Sequence, residues 1–179
     1  MAGVTLAQAY YALAAFLLLA GWLTVTDSPV LRSFRRSQGA TYFLALVAIA
    51  WFAWWLLNIP EADLAGLPRM PVIVGFIGFS LLTFVYMPDF LSVRALGVIM
   101  LFFARHALDA GYRQLPSSLL EASLSYGVLI LFGFWWACSP PVFCRQCDWV
   151  LATEGRRKFF GGLSILLAVA CVAQSFRLA

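Results

Sequence analysis

Charged residues are scarce in this sequence. Only 11% of its 179 residues are charged and 63% are hydrophobic, whereas a soluble domain is about a quarter charged and about half apolar. A small water-soluble fold leaves a large fraction of its surface exposed, so it has no place for this much apolar surface. The composition excludes an ordinary soluble domain and predicts an integral membrane protein.

Motifs of catalysis and cofactor binding are also lacking. The single histidine excludes a haem held by two histidines of one chain. The sequence has no glycine-rich phosphate loop, His-Glu metalloprotease motif or serine nucleophile elbow. The net charge of +4 comes from basic residues between hydrophobic segments, where membrane topology accounts for them. We therefore expect no cofactor, no metal and no nucleic-acid partner, and membrane lipids as the surroundings.

The hydrophobic runs lack the alternation of apolar and polar residues that marks the strands of a membrane barrel. They are continuous and rich in Leu and Ala. The predicted fold is therefore all-α, a polytopic bundle of about six transmembrane helices that forms one domain over residues 1–179. The predicted spans are residues 6–25, 41–59, 71–87, 90–112, 119–138 and 159–176.

The fourth segment, residues 90–112, decides the number of spans. Its uninterrupted apolar run, Ala95 to Ala104, has ten residues and is by itself too short to cross a bilayer. If Arg94 and Arg105 extend their side chains to opposite membrane faces, the helix becomes long enough. We expect six spans on this basis, and five if this segment does not cross.

The basic residues predict an orientation, because cytoplasmic loops are enriched in Lys and Arg. In an inner membrane of bacterial type, six spans with both termini on the outer side place eight basic residues on the inner side and four on the outer side. If the fourth segment does not cross, seven lie inside and five outside, and all later segments change sides. The eight are Arg32, Arg35, Arg36, Arg94, Arg145, Arg156, Arg157 and Lys158.

Two further segments, residues 29–37 and 142–154, are predicted as helices lying on the membrane surface. Ser28 is placed to cap the first of them, with Pro29 in its first turn. Nearby basic side chains are expected to face lipid head groups, although positive-inside charge alone also explains them. These membrane-surface residues are Arg32, Arg35, Arg36, Arg156, Arg157 and Lys158.

The fourth segment carries four ionisable residues. Arg94 and Arg105 are eleven positions apart and share one helix face, and Arg105 and Asp109 are placed to pair one turn apart. His106 faces a different neighbour. Ionisable groups at membrane depth are costly and usually functional. These residues are either an anchored helix end in the head-group region or the lining of an ion or proton pathway.

Glu121 also has two interpretations. Ser118 and Glu121 fit a capping box, in which the serine accepts from the first helical turn and the glutamate reaches back. This interpretation explains Glu121 without a transport role. The alternative adds Glu121 to the charged pathway, and a contact with Arg105 or Arg113 is compatible with either interpretation.

Cys144 and Cys147 form a CxxC pair. A structural zinc site needs four ligands, and Cys138 supplies only a third at this end of the chain. A redox pair needs a lowered thiol pKa and an oxidising compartment, whereas the predicted topology places the pair inside, where thiols stay reduced. The alternative is that both are ordinary small apolar residues.

A stripe of small residues follows one face of the last span. Such a stripe lets another helix approach closely. It is filled either within the chain or by another subunit. Its members are Gly161, Ser164, Ala168, Cys171 and Ser175.

The leading functional prediction is a non-catalytic membrane protein that acts as a structural or assembly subunit of a homo-oligomer or a larger complex. One alternative is a small ion or proton channel or transporter that uses the charged face of the fourth helix. A weak repeat, Trp54-Trp55 against Trp135-Trp136, keeps that alternative open. The other alternative is a membrane thiol-redox protein that uses Cys144 and Cys147.

Overall fold

Every regular element in the described part of the chain is a helix. The computed structural model describes residues 4–58, 67–86 and 90–178. In chain order the helices are α1 (Leu6–Val25), α2 (Pro29–Ser33, followed by a 3₁₀ turn at Phe34–Arg36), α3 (Gln38–Leu57), α4 (Arg69–Tyr86), α5 (Leu91–Gly111), α6 (Leu119–Cys138, with a π-helical turn at Ser125–Ile130), α7 (Pro140–Leu151) and α8 (Glu154–Leu178). The predicted span ends at residues 59 and 87 lie outside the described residues.

Short polar side chains begin several of these helices. The Thr5 hydroxyl accepts a hydrogen bond from the Gln8 N–H, and the Gln8 side chain accepts from the Thr5 N–H, so α1 starts with a capping box. The Ser28 hydroxyl accepts from the Val30 N–H, and Pro29 occupies the first turn of α2. The predicted start of α2 at Ser28 and Pro29 is thereby confirmed.

A helix, α7, covers most of the predicted segment 142–154, but it begins earlier, at Pro140, and ends earlier, at Leu151; its position on the membrane surface stays a prediction. Proline is favoured in the first turn because its missing N–H has no helical partner there and its φ is already helical. Tandem Pro140-Pro141 therefore starts the helix two residues before the predicted boundary.

The core lies between α1, α5, α6 and α8. It contains Leu13 of α1, Met100 of α5, Leu129 of α6 and Cys171 of α8, all of them buried. The most extensive helix pair in the described part is α1 against α8. A second layer lies outside this core, with α3 packed on α5 and α4 packed on α3.

Glycine allows the closest helix crossings in the core. A Cβ placed at Gly21 of α1 would lie 2.8 Å from the carbonyl oxygen of Gly161 of α8. Likewise, a Cβ at Gly97 of α5 would lie 2.5 Å from the carbonyl oxygen of Gly133 of α6. A side chain at these positions would separate the helices, so glycine sets the distance at which they pack.

The long helices join two ends of the bundle. Tyr10 of α1 and Gln174 of α8 both donate hydrogen bonds to the carbonyl of Ser117, which lies just before α6. Gly111 of α5 contacts Glu121 at the same end. This region is called the Glu121 end. At the opposite Asp27 end, Asp27 follows α1 and pairs with Arg157 of α8. Helices α1, α3, α4, α5, α6 and α8 alternate in direction between the two ends.

Five described helices are long and apolar enough to cross a membrane. They are α1, α3, α5, α6 and α8, so the predicted class of helical membrane protein is confirmed at the level of length and composition. The doubtful fourth segment is among them as the 21-residue α5. Helix α4 is not among them and contributes a shorter apolar stretch, Arg69–Phe79, so the count of six spans stays a prediction.

Candidate functional site: a buried polar cluster at Glu121

Glu121 lies inside the bundle. Its relative exposure is 0%, although it is only the third residue of α6. Its Oε1 accepts a hydrogen bond of 2.7 Å from the Ser125 hydroxyl one turn later. Its Oε2 is buried against Gly111 of α5 and has no hydrogen-bond partner in the described part of the chain. One carboxyl oxygen is therefore held by a donor and the other by packing alone.

Tyr10 connects α1 to the start of α6. Its hydroxyl donates to the Ser117 carbonyl at 2.7 Å and accepts from the Glu121 N–H at 3.2 Å. Gln174 of α8 also donates to the Ser117 carbonyl, at 3.4 Å. The Tyr10 side chain is fully buried, so the loss of a hydrogen-bond partner of its hydroxyl would be costly. The cluster ties α1, α6 and α8 together at one carbonyl group.

The predicted capping box at Ser118 and Glu121 is wrong. The Ser118 side chain makes no capping hydrogen bond. The Glu121 carboxyl group bonds to Ser125 further along the helix instead of reaching back to the cap. The hydroxyl of Tyr10, 111 residues earlier, accepts from the Glu121 N–H, which in a capping box would donate to the Ser118 hydroxyl. A long-range partner has replaced the local one.

The predicted charged face of α5 does not join this cluster. Arg105 and Asp109 form the expected ion pair at 3.9 Å, but both side chains are at least half exposed. The Arg105 guanidinium lies over the Trp55 ring of α3, 4.9 Å from its centroid, and the Arg113 guanidinium lies over the Tyr112 ring. Exposed pairs of this kind contribute about 0.2–1 kcal/mol. No ion pair links Glu121 to either arginine within the described residues.

His106 faces α3, the helix that Arg105 also contacts through Trp55, so the prediction of a different neighbour for His106 is wrong. Its Nδ1 lies 2.9 Å from the Phe102 carbonyl oxygen, one turn earlier in α5. A carbonyl can only accept, so Nδ1 carries the proton of this hydrogen bond. The ring packs against Trp51 of α3, with centroids 5.4 Å apart. His106 is thus part of an aromatic contact between two helices.

Arg94 lies at the opposite end of α5 from Arg105. Its Nη1 donates to the Ala137 carbonyl near the end of α6 at 3.2 Å. Its Nε is buried and has no partner in the described part of the chain. Although Arg94 and Arg105 share a helix face by position, the first contacts α6 and the second contacts α3. The shared face predicted from the sequence therefore does not become a continuous charged stripe between the two arginines.

Asp27 organises the basic residues at its own end. It adopts the left-handed conformation, with φ of 50°, directly after α1. Its carboxylate accepts from Arg32 at 2.8 Å and pairs with Arg157 of α8. Two residues predicted to face lipid head groups are therefore engaged within the chain. Asp27 was missed in the sequence because an isolated aspartate in a turn has no distinguishing pattern.

The other predicted surface residues have separate environments. The Arg156 guanidinium lies 4.5 Å from the Trp149 ring centroid. Lys158 pairs with Glu154 at 2.6 Å, and both side chains are exposed. Arg36 is exposed, and the side chain of Arg35 lies outside the described part of the structure.

Cys144 and Cys147 line one side of a small cavity at the Asp27 end. The cavity has a volume of about 110 Å³ and is also lined by Arg32 and Asp148. All four cysteines lie in described residues, and none forms a disulfide. Burial raises the pKa of the Cys147 thiol to about 12, and Cys144 and Asp148 add to the rise. A redox-active thiol needs a lowered pKa, so this environment opposes thiolate formation.

The small-residue stripe of the last span lies on α8. Gly161, Ala168, Cys171 and Ser175 are buried within the chain, and Ser164 is half-buried. Gly161 contacts Gly21 of α1, while Ala168 and Cys171 belong to the same core cluster as residues of α1. Of the two predicted fillings of the stripe, these contacts favour the one within the chain.

No family model, curated protein or solved structure matches this chain. Residue roles therefore rest on geometry and chemistry. In residues 4–58, 67–86 and 90–178, no three His, Cys, Asp or Glu side chains are grouped to hold a metal ion. Among the described acidic side chains, Glu121 is the fully buried one, and the sequence does not predict its two partners, Tyr10 and Ser125. The apolar runs around both gave no signal that a tyrosine and a serine would meet a glutamate.

Proposed function

We propose that the chain is a non-catalytic integral membrane protein that works as a subunit of an assembly, with a second copy packed on the outer face of α4. The observation that carries the proposal is the unequal use of glycine. Gly21 with Gly161, and Gly97 with Gly133, each form a close crossing inside the bundle. Gly75 and Gly78 of α4 form no such crossing within the described residues.

The two α4 glycines point away from the bundle. Among the α4 residues whose side chains the structure describes, Ile73 is the buried one, with a relative exposure of 7%. At 100° per residue, Gly75 lies 200° and Gly78 lies 140° from Ile73, as estimated from about 3.6 residues per turn. Pro71 and Leu82 fall on the same outward face, and Leu82 is exposed. A smooth face of this kind is available to another helix.

A second copy fits this face because the face is complementary to itself. In a membrane, helices associate through close van der Waals packing, which glycine makes possible. Two-fold dimers place the same patch of both subunits in contact. Helix α4 makes more contact with α3 than with any other helix in the described part. Each core helix packs against more than one neighbour, and a partner on the outer face would give α4 a second neighbour too.

The test compares two glycines that are equally open. Gly75→Leu is expected to convert the native mass in lipid nanodiscs from dimer to monomer, because the leucine side chain prevents close approach. Gly162→Leu on α8, where a Cβ also meets no described residue within 4 Å, is the matched control and should leave the mass unchanged. A monomeric wild-type protein, or a dimer that survives Gly75→Leu, contradicts the proposal.

The basic residues support a cytoplasmic Asp27 end in a bacterial-type inner membrane. By the helix ends that carry them, eight of the 12 Lys and Arg residues belong to the Asp27 end and four to the Glu121 end. This distribution follows the positive-inside rule if six helices cross. Both termini then lie outside, and α2 and α7 lie at the inner surface of the membrane.

The two alternative functions have weaker support. A pathway along α5 would need Arg94, Arg105 and Asp109 to line one cavity. Instead, Arg94 contacts α6 at one end of α5, and Arg105 contacts α3 at the other end. A thiol-redox role would need a reactive Cys147, whose pKa is instead raised. The subunit proposal requires neither arrangement.

A further inference from the structure

We infer that Glu121 is a proton-binding site, at which a neutral carboxylic acid is held inside the bundle and exchanges its proton with water at the Glu121 end. The inference is independent of the proposed assembly. It rests on an enclosed carboxyl group that has one donor, one unpartnered oxygen and no counter-charge among the described residues.

The hydrogen bonds of Glu121 do not suffice for a carboxylate. An ionised carboxylate has about four acceptor sites, and a buried one needs several donors or an opposite charge. Glu121 receives one side-chain donor, the Ser125 hydroxyl. Its Oε2 is enclosed against Gly111, without a donor in the described part of the chain. A proton on the carboxyl group removes the charge that this site does not compensate.

Among the described residues, no charged side chain forms an ion pair with Glu121 from any of the elements packed around it. Helix α1 presents Tyr10, whose hydroxyl already donates to the Ser117 carbonyl. Helix α8 presents Gln174 and the buried Cys171. Helix α5 presents Gly111, while its Asp109 is exposed and paired with Arg105. In the connection before α6, the Arg113 guanidinium lies over the Tyr112 ring.

The proton has a short way to solvent. Residues 112–116, which precede the buried Ser118, are exposed, so Glu121 lies beneath a thin cover at this end. In uptake, a hydronium ion gives its proton to the carboxylate, an O–H bond forms on Glu121 and water leaves. Release is the reverse step. Because Oε2 packs on Gly111, either step requires the α5–α6 contact to open, next to the π-helical turn that begins at Ser125.

Infrared spectroscopy of the full chain in lipid tests the protonation state directly. The wild type should show the carbonyl band of a protonated carboxylic acid at pH 7, although an ordinary Glu, with a pKa of about 4.3, is ionised there. Glu121→Gln should abolish the band, and Glu154→Gln, at an exposed glutamate, should leave it. A wild type without the band, or a band that persists in Glu121→Gln, overturns the inference.

A chemical probe keeps the test independent of any variant's folding. A hydrophobic carbodiimide reacts with protonated carboxyl groups in apolar surroundings. In the wild type it should label the peptide that contains Glu121, and the rate should fall as the pH is raised. A water-soluble carbodiimide should instead label Glu154. Labelling of Glu154 but not Glu121 by the hydrophobic reagent, at every pH, overturns the inference.

Discussion

The thiol of Cys147 shows at the residue scale how position changes chemistry. It lies on α7, outside the apolar helices, yet burial raises its pKa to about 12 from an ordinary value of 9.0. Cys138, six residues before Cys144, is exposed. The thiols of Cys138 and Cys147 therefore differ in environment, although the two residues are only nine positions apart. Thiol reactivity follows the fraction of thiolate, which burial lowers at Cys147.

The raised pKa of Cys147 predicts a pH dependence of stability. The folded protein keeps the Cys147 proton up to about pH 12, whereas the unfolded chain loses it near pH 9.0. The folded state then binds more protons, so the free energy of unfolding falls as the pH rises between these values. Cys147→Ala should lose less stability than the wild type between pH 8 and 10, as measured by thermal unfolding in detergent. Parallel losses in the two proteins would contradict the assignment, with Cys138→Ala as the control.

At the residue scale the sequence singles out Glu121 but does not predict its surroundings. Its distance from Ser118 suggested a local cap, because a capping box is a pattern of four neighbouring residues. The observed partner of its N–H is Tyr10, which lies 111 residues away. A pattern of nearest neighbours carries no information about such a contact. Only the packing of α1 beside α6 creates it.

At the element scale, glycines decide how closely two helices pack. A Cβ at Gly97 would lie 2.5 Å from the Gly133 carbonyl oxygen and 2.9 Å from the Ala137 N. Both are backbone atoms of α6, which cannot move aside like a flexible side chain. The α5–α6 pair would have to separate along its whole crossing.

Gly97→Ala is therefore expected to destabilise the protein by about 1–3 kcal/mol, the usual cost of overpacking. Gly162→Ala on α8 meets no described residue within 4 Å, so its helix propensity should stabilise by up to about 1 kcal/mol. Thermal unfolding in one detergent compares the two variants with the wild type. Equal melting temperatures for the two variants would show that the Gly97 crossing is not tightly packed.

The sequence predicts the helices better than their partners. A continuous apolar run of about 20 residues is enough to indicate a membrane helix, and the long runs are helical in the structure. The small residues on α8 indicated a close contact but not which helix would make it. That helix is α1, at the other end of the chain. Helix pairing depends on the shapes of both surfaces, and a single segment shows only one of them.

At the scale of the whole molecule, the direction of each helix fixes which connections share an end. The Arg69 side chain donates to the Leu57 carbonyl, so α4 starts where α3 ends. Trp51 of α3 packs against Phe102 of α5, and these two helices run parallel. The connection before α6 therefore lies at the Glu121 end, and the connection after α6 lies at the Asp27 end with Cys138.

This arrangement predicts opposite sides for two cysteines in one labelling experiment. With six crossings and a cytoplasmic Asp27 end, Gln114→Cys should react with a membrane-impermeant maleimide in intact cells. The native Cys138, which is exposed, should react only after the cells are permeabilised. Ser37→Cys, before α3, should behave like Cys138. If α5 does not cross, Gln114→Cys becomes protected in intact cells. Labelling of Cys138 and Ser37→Cys in intact cells would instead indicate the opposite orientation. The surplus of basic residues would then face away from the cytoplasm, against the positive-inside rule.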